Sequence, residues 1–221
     1  LVQGLPTPGL AGSVPALKFC TGEVKRVLED PSLVLRDFKD WDSAASSAKS
    51  WIRPGHKESV VKHLVKEGIF REFVATRHGP QLRNEAGAPV SCGLFGVVRA
   101  KDTEVVVDEK LEPSLRLICN LIPSNAAVDQ LYADMDDLPL ESQLHAVCLL
   151  DRDFALFSSS DRKCFFYIFG IPEAWLKYMV ANLVVDGSLF GHTDGRSSQV
   201  AIGVVGMGWK LATAICQHIH R

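Results

Sequence analysis

Several features that would assign a protein to a broad class are missing from this 221-residue sequence. No apolar run is long enough to cross a bilayer, and the first residues do not resemble a signal peptide. The six cysteines include no Cys-X-X-Cys pair, which argues against a disulfide framework or a zinc site. We therefore expect reduced, buried thiols in an intracellular protein, cytoplasmic or nuclear rather than secreted, with no membrane partner.

The sequence also has no internal repeat and no Gly-rich phosphate loop of the Gly-Lys-Ser type. What is present, 47% hydrophobic and 23% charged residues with a net charge of −2, is typical of a globular protein with a substantial core. The chain begins with Leu1 and stops in a segment whose apolar positions Leu211, Ile215 and Ile219 recur every four residues. We expect a fragment of a longer protein, with one large domain or two small ones.

Charge is distributed unevenly along the chain. Residues 49–83 contain eight Lys or Arg against three Glu, a net charge of +5, whereas residues 129–153 contain seven acidic residues against one Arg, a net charge of −6. A basic helical segment suits a phosphate backbone. A solvated helix face is the simpler interpretation.

Local patterns predict the following elements. Residues 1–50 are rich in Pro, Gly, Ala and Ser, which favours a linker with one short helix at 22–30. A helix is predicted at 56–67, ended by Gly68, and strands are predicted at 93–98, 103–107 and 115–119. Two Asp-Gly turn signals frame a hairpin-like crossing from residues 178–185 to residues 199–205.

The most informative segment runs from Phe157 to Pro172. In it Asp161 follows an apolar, strand-like run, and Phe165, Phe166 and Tyr167 come soon after. A carboxylate held at a strand end is a common ligand of the hard cations that assist phosphate chemistry. An Asp that caps the next helical turn is the alternative interpretation.

Three other blocks accompany this segment: Val60 to Val74, Arg116 to Asn125, and Val204 to Gln217. The first predicts an amphipathic helix ending in Gly, the second an Arg-led strand ending in Asn, and the third a Gly-containing turn that opens a helix. In this order and spacing the blocks resemble those of retrotransposon-type reverse transcriptases, which are RNA-directed DNA polymerases. The resemblance extends from Trp51 to Arg221.

The resemblance implies an α+β fold: the fingers of a right-hand polymerase plus the first half of its palm, truncated before the aromatic-X-Asp-Asp motif. Residues 51–150 would form the fingers-like region and residues 151–221 the partial palm. The implied reaction is extension of a DNA strand on an RNA or DNA template-primer, with deoxynucleoside triphosphates as substrates and two Mg²⁺ ions as cofactors.

By the same resemblance, Asp161 would be the catalytic metal ligand, and the backbone carbonyl of Arg162 would be a further ligand. Phe166 would be the steric gate that excludes a ribose 2′-hydroxyl. A ring packed in the core is the alternative for Phe166, as a helix cap is for Asp161.

The resemblance also implies that Arg116 and Lys110, on one fingers hairpin, bind the triphosphate, since basic side chains suit phosphate oxygens. A solvated charge at a strand edge is the alternative for both. Gly208 and Trp209 would form the turn beneath the nucleotide, where a missing side chain permits close approach.

The sequence departs from the family pattern at several positions. Gly206 and Met207 replace the usual Pro and Gln, and Asn120, Ile122 and Cys164 replace residues that are commonly charged. The run Asp134-Met-Asp-Asp137 resembles the second acidic motif of the family but precedes Asp161 in a polar stretch without a hairpin pattern.

With one catalytic carboxylate, the chain is expected to be inactive alone, because two metal ions need more ligands. The alternative is a non-catalytic nucleic-acid-binding or scaffold remnant of a polymerase fold. An unrelated α+β domain that matches by chance is a third possibility.

Overall fold

The computed structural model of the chain describes residues 5–41, 46–53, 55–98, 104–107, 110–113, 115–137, 150, 152, 154 and 164–220. Within these ranges, short helices alternate with small sheets, as the predicted α+β class requires.

The helices are short and amphipathic where they meet the core. Helix α1 buries Val24, Val27 and Leu28, and the next helix buries Val61 and Leu64. The α-helices are α1 (Gly22–Glu29), α2 (Lys57–Lys66), α3 (Ala75–His78), α4 (Ile122–Ala126), α5 (Phe165–Ile168) and α6 (Ala212–His220). Short 3₁₀ helices occupy Ala16–Phe19, Pro31–Val34, Phe38–Asp40, Ala133–Asp137, Glu173–Tyr178 and Gly187–Phe190.

The strands of the described ranges form small sheets, three antiparallel and one parallel. Strand β9 is central in a three-stranded sheet of order β2-β9-β8, whereas β3 pairs with β6, β4 with β5, and β1 with β7. The strands are β1 (Val14–Pro15), β2 (Phe70–Phe73), β3 (Gly93–Val98), β4 (Glu104–Val107), β5 (Lys110–Pro113), β6 (Leu115–Asn120), β7 (Phe169–Gly170), β8 (Val180–Asp186) and β9 (Ser197–Ile202).

The core is built around β9. Val200, Ala201 and Ile202 on this strand are fully buried. Trp175 is also fully buried, and its Nε1 donates to the carbonyl oxygens of Val27 and Leu28 in α1 at 3.3 and 3.1 Å. The indole hydrogen bonds therefore join the N-terminal helix to the segment that precedes β8.

The N-terminal segment contributes to this core, although its composition suggested a linker. Ala16, Val24 and Leu28 are buried, and the backbone N–H of Gly12 donates to the carbonyl of Tyr167 at 2.9 Å. Among the many small residues, the apolar side chains of α1 recur at helical spacing, and this gives the segment a face to bury. The helix predicted at 22–30 is confirmed.

Other local predictions also agree with the structure. Helix α2 ends just before Gly68, whose φ of +82° is in the left-handed region, and a Cβ there would lie 2.7 Å from the carbonyl oxygen of Ala11. The strands expected near 93–98, 103–107 and 115–119 are β3, β4 and β6. The expected crossing is the antiparallel pair β8 and β9, with an irregularity between Val180 and Val184.

Candidate functional site

The side-chain amide of Asn125 joins α4 to the turn that follows β9. Its Nδ2 donates to the carbonyl oxygen of Gly208 at 2.8 Å, and its Oδ1 accepts from the backbone N–H of Lys210 at 2.8 Å. The amide thus uses its donor and its acceptor on two main-chain groups of a single turn. This pairing fixes the turn relative to β6, because α4 follows β6 after a single residue.

Gly208 stands at the exposed surface of this turn with a φ of +93°. The nearest heavy atom to a Cβ built at this position would be the carbonyl oxygen of Cys119, at 3.8 Å. Space alone would therefore admit a side chain, and glycine is required for its backbone conformation. The turn lies against the end of β6 and leads into α6.

Lys210 provides a second connection between the same two parts of the chain. Its Nζ donates to the carbonyl oxygen of Val128 at 2.7 Å, and Nε2 of Gln130 donates to the carbonyl oxygen of Lys210 at 3.2 Å. Together with Asn125, these bonds hold the turn and the segment after α4 in one arrangement.

Helix α5 contacts β6 through Tyr167. The phenol is buried, and its hydroxyl donates to the carbonyl oxygen of Leu117 at 3.2 Å. Burial raises the pKa of Tyr167, the nearby thiols Cys119 and Cys164 raise it further, and the charge of Arg116 lowers it in part. The hydroxyl is therefore a neutral hydrogen-bond donor at physiological pH.

Arg116 lies on the exposed face of β6. Leu117 and Cys119 are buried with 5% and 2% exposure, whereas Arg116 is exposed, and in the strand register it is opposite Val97 of β3. Adjacent side chains on a strand point to opposite faces, so the guanidinium is on the solvent side.

Phe166 is half-buried at the start of α5 and packs against the core. Its ring meets that of Phe165 edge to face, with centroids 6.4 Å apart. Phe165 in turn makes edge contacts with Phe169 and with His220 at the end of α6. Part of the Phe166 ring remains accessible while its neighbours anchor the helix.

Trp209 has a buried position beneath the turn. Its exposure is 3%, and its ring meets that of Trp175 in a T-shaped contact with centroids 4.9 Å apart. Among the described residues, no hydrogen-bond partner of its indole Nε1 is found. The ring of Trp209 belongs to the core, so at this turn it packs under the backbone and is not exposed to a ligand.

The remaining predicted site residues are described less fully. Asp161 and Arg162 lie outside the described residues. Lys110 begins β5, where its backbone pairs with Val107. The structure thus places α5 in contact with β6 through Tyr167 and joins the segment after β6 to the turn at Gly208 through Asn125, and it leaves the expected metal ligands undescribed.

Within the described ranges, no group of three or more His, Cys, Asp or Glu side chains is arranged to hold a metal ion. His218 and His220 have different partners: Nδ1 of His218 bonds to Asp134, and the His220 ring contacts Phe165. Asp134 belongs to the 3₁₀ turn Ala133–Asp137, so the Asp134-Met-Asp-Asp137 run is not a hairpin. The described residues alone do not form a magnesium site.

The basic segment does not form one surface. Lys62 and Lys66 are exposed on α2, Arg77 is ion-paired with Glu173, and Arg83 donates to the carbonyl oxygen of Gly87 at 2.6 Å. Arg71 is half-buried. The two lysines lie on a solvated helix face, as the simpler interpretation of the charge pattern predicted. Arg77 and Arg83 each bind a separate partner in the protein.

Sequence reasoning placed Asn125 at the end of a family block but gave it no function. Its two hydrogen bonds join positions 83 and 85 residues apart in the chain. The signal that could have found it is an Asn at the end of one block together with a Gly-containing turn in a later block, since an amide can hold a main-chain donor and acceptor together.

Comparison with models of known protein families finds no match, and comparison with curated proteins finds none either. None of the described helices has the length and apolar composition that crossing a membrane requires.

Proposed function

We propose that this chain is the fingers and first half of the palm of a retrotransposon-type reverse transcriptase, which extends a DNA strand on an RNA or DNA template-primer. One observation carries the proposal: residues from three separated blocks adjoin one another. Asn125 bonds to the turn at Gly208, and Tyr167 bonds to the backbone of β6 at Leu117. The resemblance requires such adjacency, whereas a match by chance does not require it.

The exposed residues around these contacts suit the roles that the resemblance implies. The guanidinium of Arg116 is on the solvent side of β6, where it can make paired hydrogen bonds to a triphosphate. Gly208 offers an exposed backbone surface without a side chain, on which a base can lie. The accessible part of the Phe166 ring would exclude a 2′-hydroxyl and so select deoxynucleotides.

In this proposal Asp161 and the backbone carbonyl of Arg162 would hold Mg²⁺, because a hard cation prefers oxygen ligands. Bound there, the metal would stabilise charge on the reacting phosphate oxygens. The residues described above act on binding and orientation: Arg116 holds the triphosphate, and Asn125 fixes the turn beneath the nucleotide.

Equilibrium binding tests the proposal on the chain itself. We would measure fluorescence anisotropy of a labelled template-primer and, separately, of a labelled deoxynucleoside triphosphate in its presence. Arg116→Met should weaken nucleotide binding about tenfold or more, since a charge-assisted hydrogen bond contributes ~1.5–3 kcal/mol and each 1.4 kcal/mol is tenfold. Arg26→Met, on the exposed face of α1, is the matched control and should change neither affinity.

Phe166→Ala separates the proposed enzyme from its alternative. Loss of the gate should narrow the preference for deoxynucleotides over ribonucleotides and leave template-primer affinity unchanged. Template-primer binding with no nucleotide binding would favour the non-catalytic remnant. Binding of neither would contradict both forms of the proposal.

A further inference from the structure

A cleft of about 250 Å³ opens beside β2 and β7, and it shares no residue with the site around Gly208. Its walls include the apolar side chains of Pro15, Leu17 and Pro172, with Arg71 and Glu173 as its charged residues. Clefts that hold drug-sized molecules span about 300–1,000 Å³, so this one suits a smaller ligand.

The side chain of Arg71 lines the cleft and packs directly against the backbone of several glycines. A Cβ at Gly203 would lie 2.6 Å from Cγ and 2.7 Å from Nε of Arg71, and a Cβ at Gly170 would lie 2.9 Å from an Nη atom. Gly12 also faces the guanidinium, at 3.8 Å from its Cβ position. Three glycines from separate segments therefore leave room for one arginine, and any larger residue at Gly203 or Gly170 would collide with it.

The guanidinium has donor capacity left over. Its Nη1 donates to the carbonyl oxygen of Ile171 at 3.2 Å, and this is the one hydrogen bond of Arg71 recorded among the described residues. A guanidinium carries five N–H donors. Burial lowers the pKa of Arg71, although an arginine stays protonated at physiological pH.

Glu173 attracts Arg71 electrostatically, which offsets part of the pKa lowering caused by burial, but within the described residues it makes no hydrogen bond to Arg71. Its carboxylate is taken by Arg77, through Nε at 3.2 Å and through a closer contact from Nη2. A half-buried cation without a hydrogen-bonded anionic partner is costly, and an anionic ligand removes that cost.

We propose that this cleft binds a small organic carboxylate, with the carboxylate on the Arg71 guanidinium and the apolar body against Pro15, Leu17 and Pro172. The planar fork of arginine matches a carboxylate in a two-bond arrangement. The negative charge of Glu173 disfavours a doubly charged phosphate in the same place. The apolar walls disfavour an inorganic anion.

The test measures binding to the whole chain by ¹⁹F NMR. The three probes are of similar size: 4-fluorobenzoate, 4-fluorophenyl phosphate and the neutral 4-fluorobenzyl alcohol. We expect saturable line broadening for the benzoate, weaker binding of the phosphate, and none for the alcohol. Tighter binding of the phosphate, or equal binding of the alcohol, would overturn the carboxylate assignment.

Four variants locate the binding. Arg71→Met should reduce benzoate affinity about tenfold or more, and Arg71→Lys should retain part of it. Lys18→Met, next to Leu17 but outside the lining, removes the same charge and should leave affinity unchanged. Glu173→Gln should strengthen binding because it removes a negative charge from the cleft.

A thermal melt establishes that each variant is folded. Should Arg71→Met fail to fold, the opposite effects of Arg71→Lys and Glu173→Gln still decide the question. Unchanged benzoate affinity in both would refute the proposal.

Discussion

The sheet of β2, β9 and β8 and the pair of β3 and β6 are both antiparallel, yet they stand in different environments. On β9, Val200, Ala201 and Ile202 are fully buried. In the β3–β6 pair, Leu94 and Cys119 are buried at one end, with 1% and 2% exposure. At its other end Val97 and Val98 are 45% and 58% exposed.

The β3–β6 pair is therefore anchored in the core at one end and exposed to solvent at the other. Tyr167 holds β6 from below at Leu117, while Arg116, the next residue, lies opposite the exposed Val97. Strands with little buried apolar surface open locally at lower free energy than core strands. The exposed end of the pair should therefore open locally more readily than the buried sheet around β9.

The largest difference in unfolding free energy is expected between substitutions of two tryptophans. Trp175→Ala removes a fully buried ring and its hydrogen bonds to α1, so we expect a loss of about 3–5 kcal/mol in the free energy of unfolding. Trp51→Ala, at 72% exposure beside β3, should change it by about 0.5 kcal/mol or less. Urea denaturation measures both, and equal losses would remove the distinction between the core and the β3 edge.

A matched pair of valines tests the comparison strand against strand. Val200→Ala in β9 should cost about 2 kcal/mol of unfolding free energy, because two buried carbons are lost and a cavity remains. The same substitution at Val98 should cost about 0.5 kcal/mol or less. Amide hydrogen exchange should also be faster at Val98 than at Val200, and similar protection would contradict the account.

Asn125 links the two regions, since it follows β6 and bonds to the turn after β9. Asn125→Ala leaves the Gly208 carbonyl and the Lys210 N–H without their partner, and we expect a loss of about 1–2 kcal/mol in chemical denaturation. Asn125→Asp keeps the acceptor for Lys210 and should lose less. Asn182→Ala, which removes one exposed bond to the Ala48 carbonyl, is the control with the smaller effect.

Within the sheet, Glu72 of β2 accepts hydrogen bonds from Ser198 of β9 and from His192, both at 2.6 Å. Burial raises the pKa of Glu72, but these bonds to the charged form outweigh burial, and its pKa lies below the ordinary value. A depressed folded-state pKa contributes stability above the unfolded-state pKa of about 4.3, and this contribution is lost as pH falls through the folded value.

The stability gap between the native chain and Glu72→Gln should therefore be fully present at neutral pH and should narrow as the pH falls below the unfolded-state pKa of about 4.3. Urea denaturation at a series of pH values measures it. Glu58→Gln, at an exposed position of α2, should show no such gap. If the difference in unfolding free energy between the native chain and Glu72→Gln instead increased on acidification, the assignment of a lowered pKa to Glu72 would be wrong.

The smallest expected effect concerns the thiols at the base of the β3–β6 pair. Burial raises the pKa of Cys92 and of Cys119 to about 12, so both are protonated and shielded at pH 8. Among the cysteines that the structure describes, Cys164, which is half-buried, should react with a maleimide first. Peptide mapping after timed alkylation checks the order, and early labelling of Cys92 would contradict the burial of this end.

Sequence patterns predicted the elements whose signals are local. The 3.6-residue spacing in α2, its stop at Gly68, and the Asp-Gly turns around β8 and β9 each depend on neighbouring residues. The packing of α1 against Trp175 and the Asn125 contacts join residues more than 80 positions apart. Periodicity indicates that a face will be buried, but the partner of that face depends on the whole chain.

The candidate site divides in the same way. Motif spacing predicted Arg116 and Gly208 as site residues, and these assignments stay predictions, whereas the support that Asn125 gives the turn was visible only in the folded arrangement. The sequence also could not predict that Gly12, Gly170 and Gly203 pack around Arg71, since these glycines belong to unrelated local patterns. The function of Asp161 stays a prediction.

Primer extension tests the polymerase proposal most directly. The protein would be expressed with whatever its natural reading frame encodes after Arg221 and assayed with Mg²⁺, deoxynucleoside triphosphates and an RNA template-primer, beside its Asp161→Asn variant. We predict extension that the substitution abolishes while template-primer affinity is retained. A folded protein that binds the template-primer but shows no extension, or extension that survives Asp161→Asn, would contradict the account.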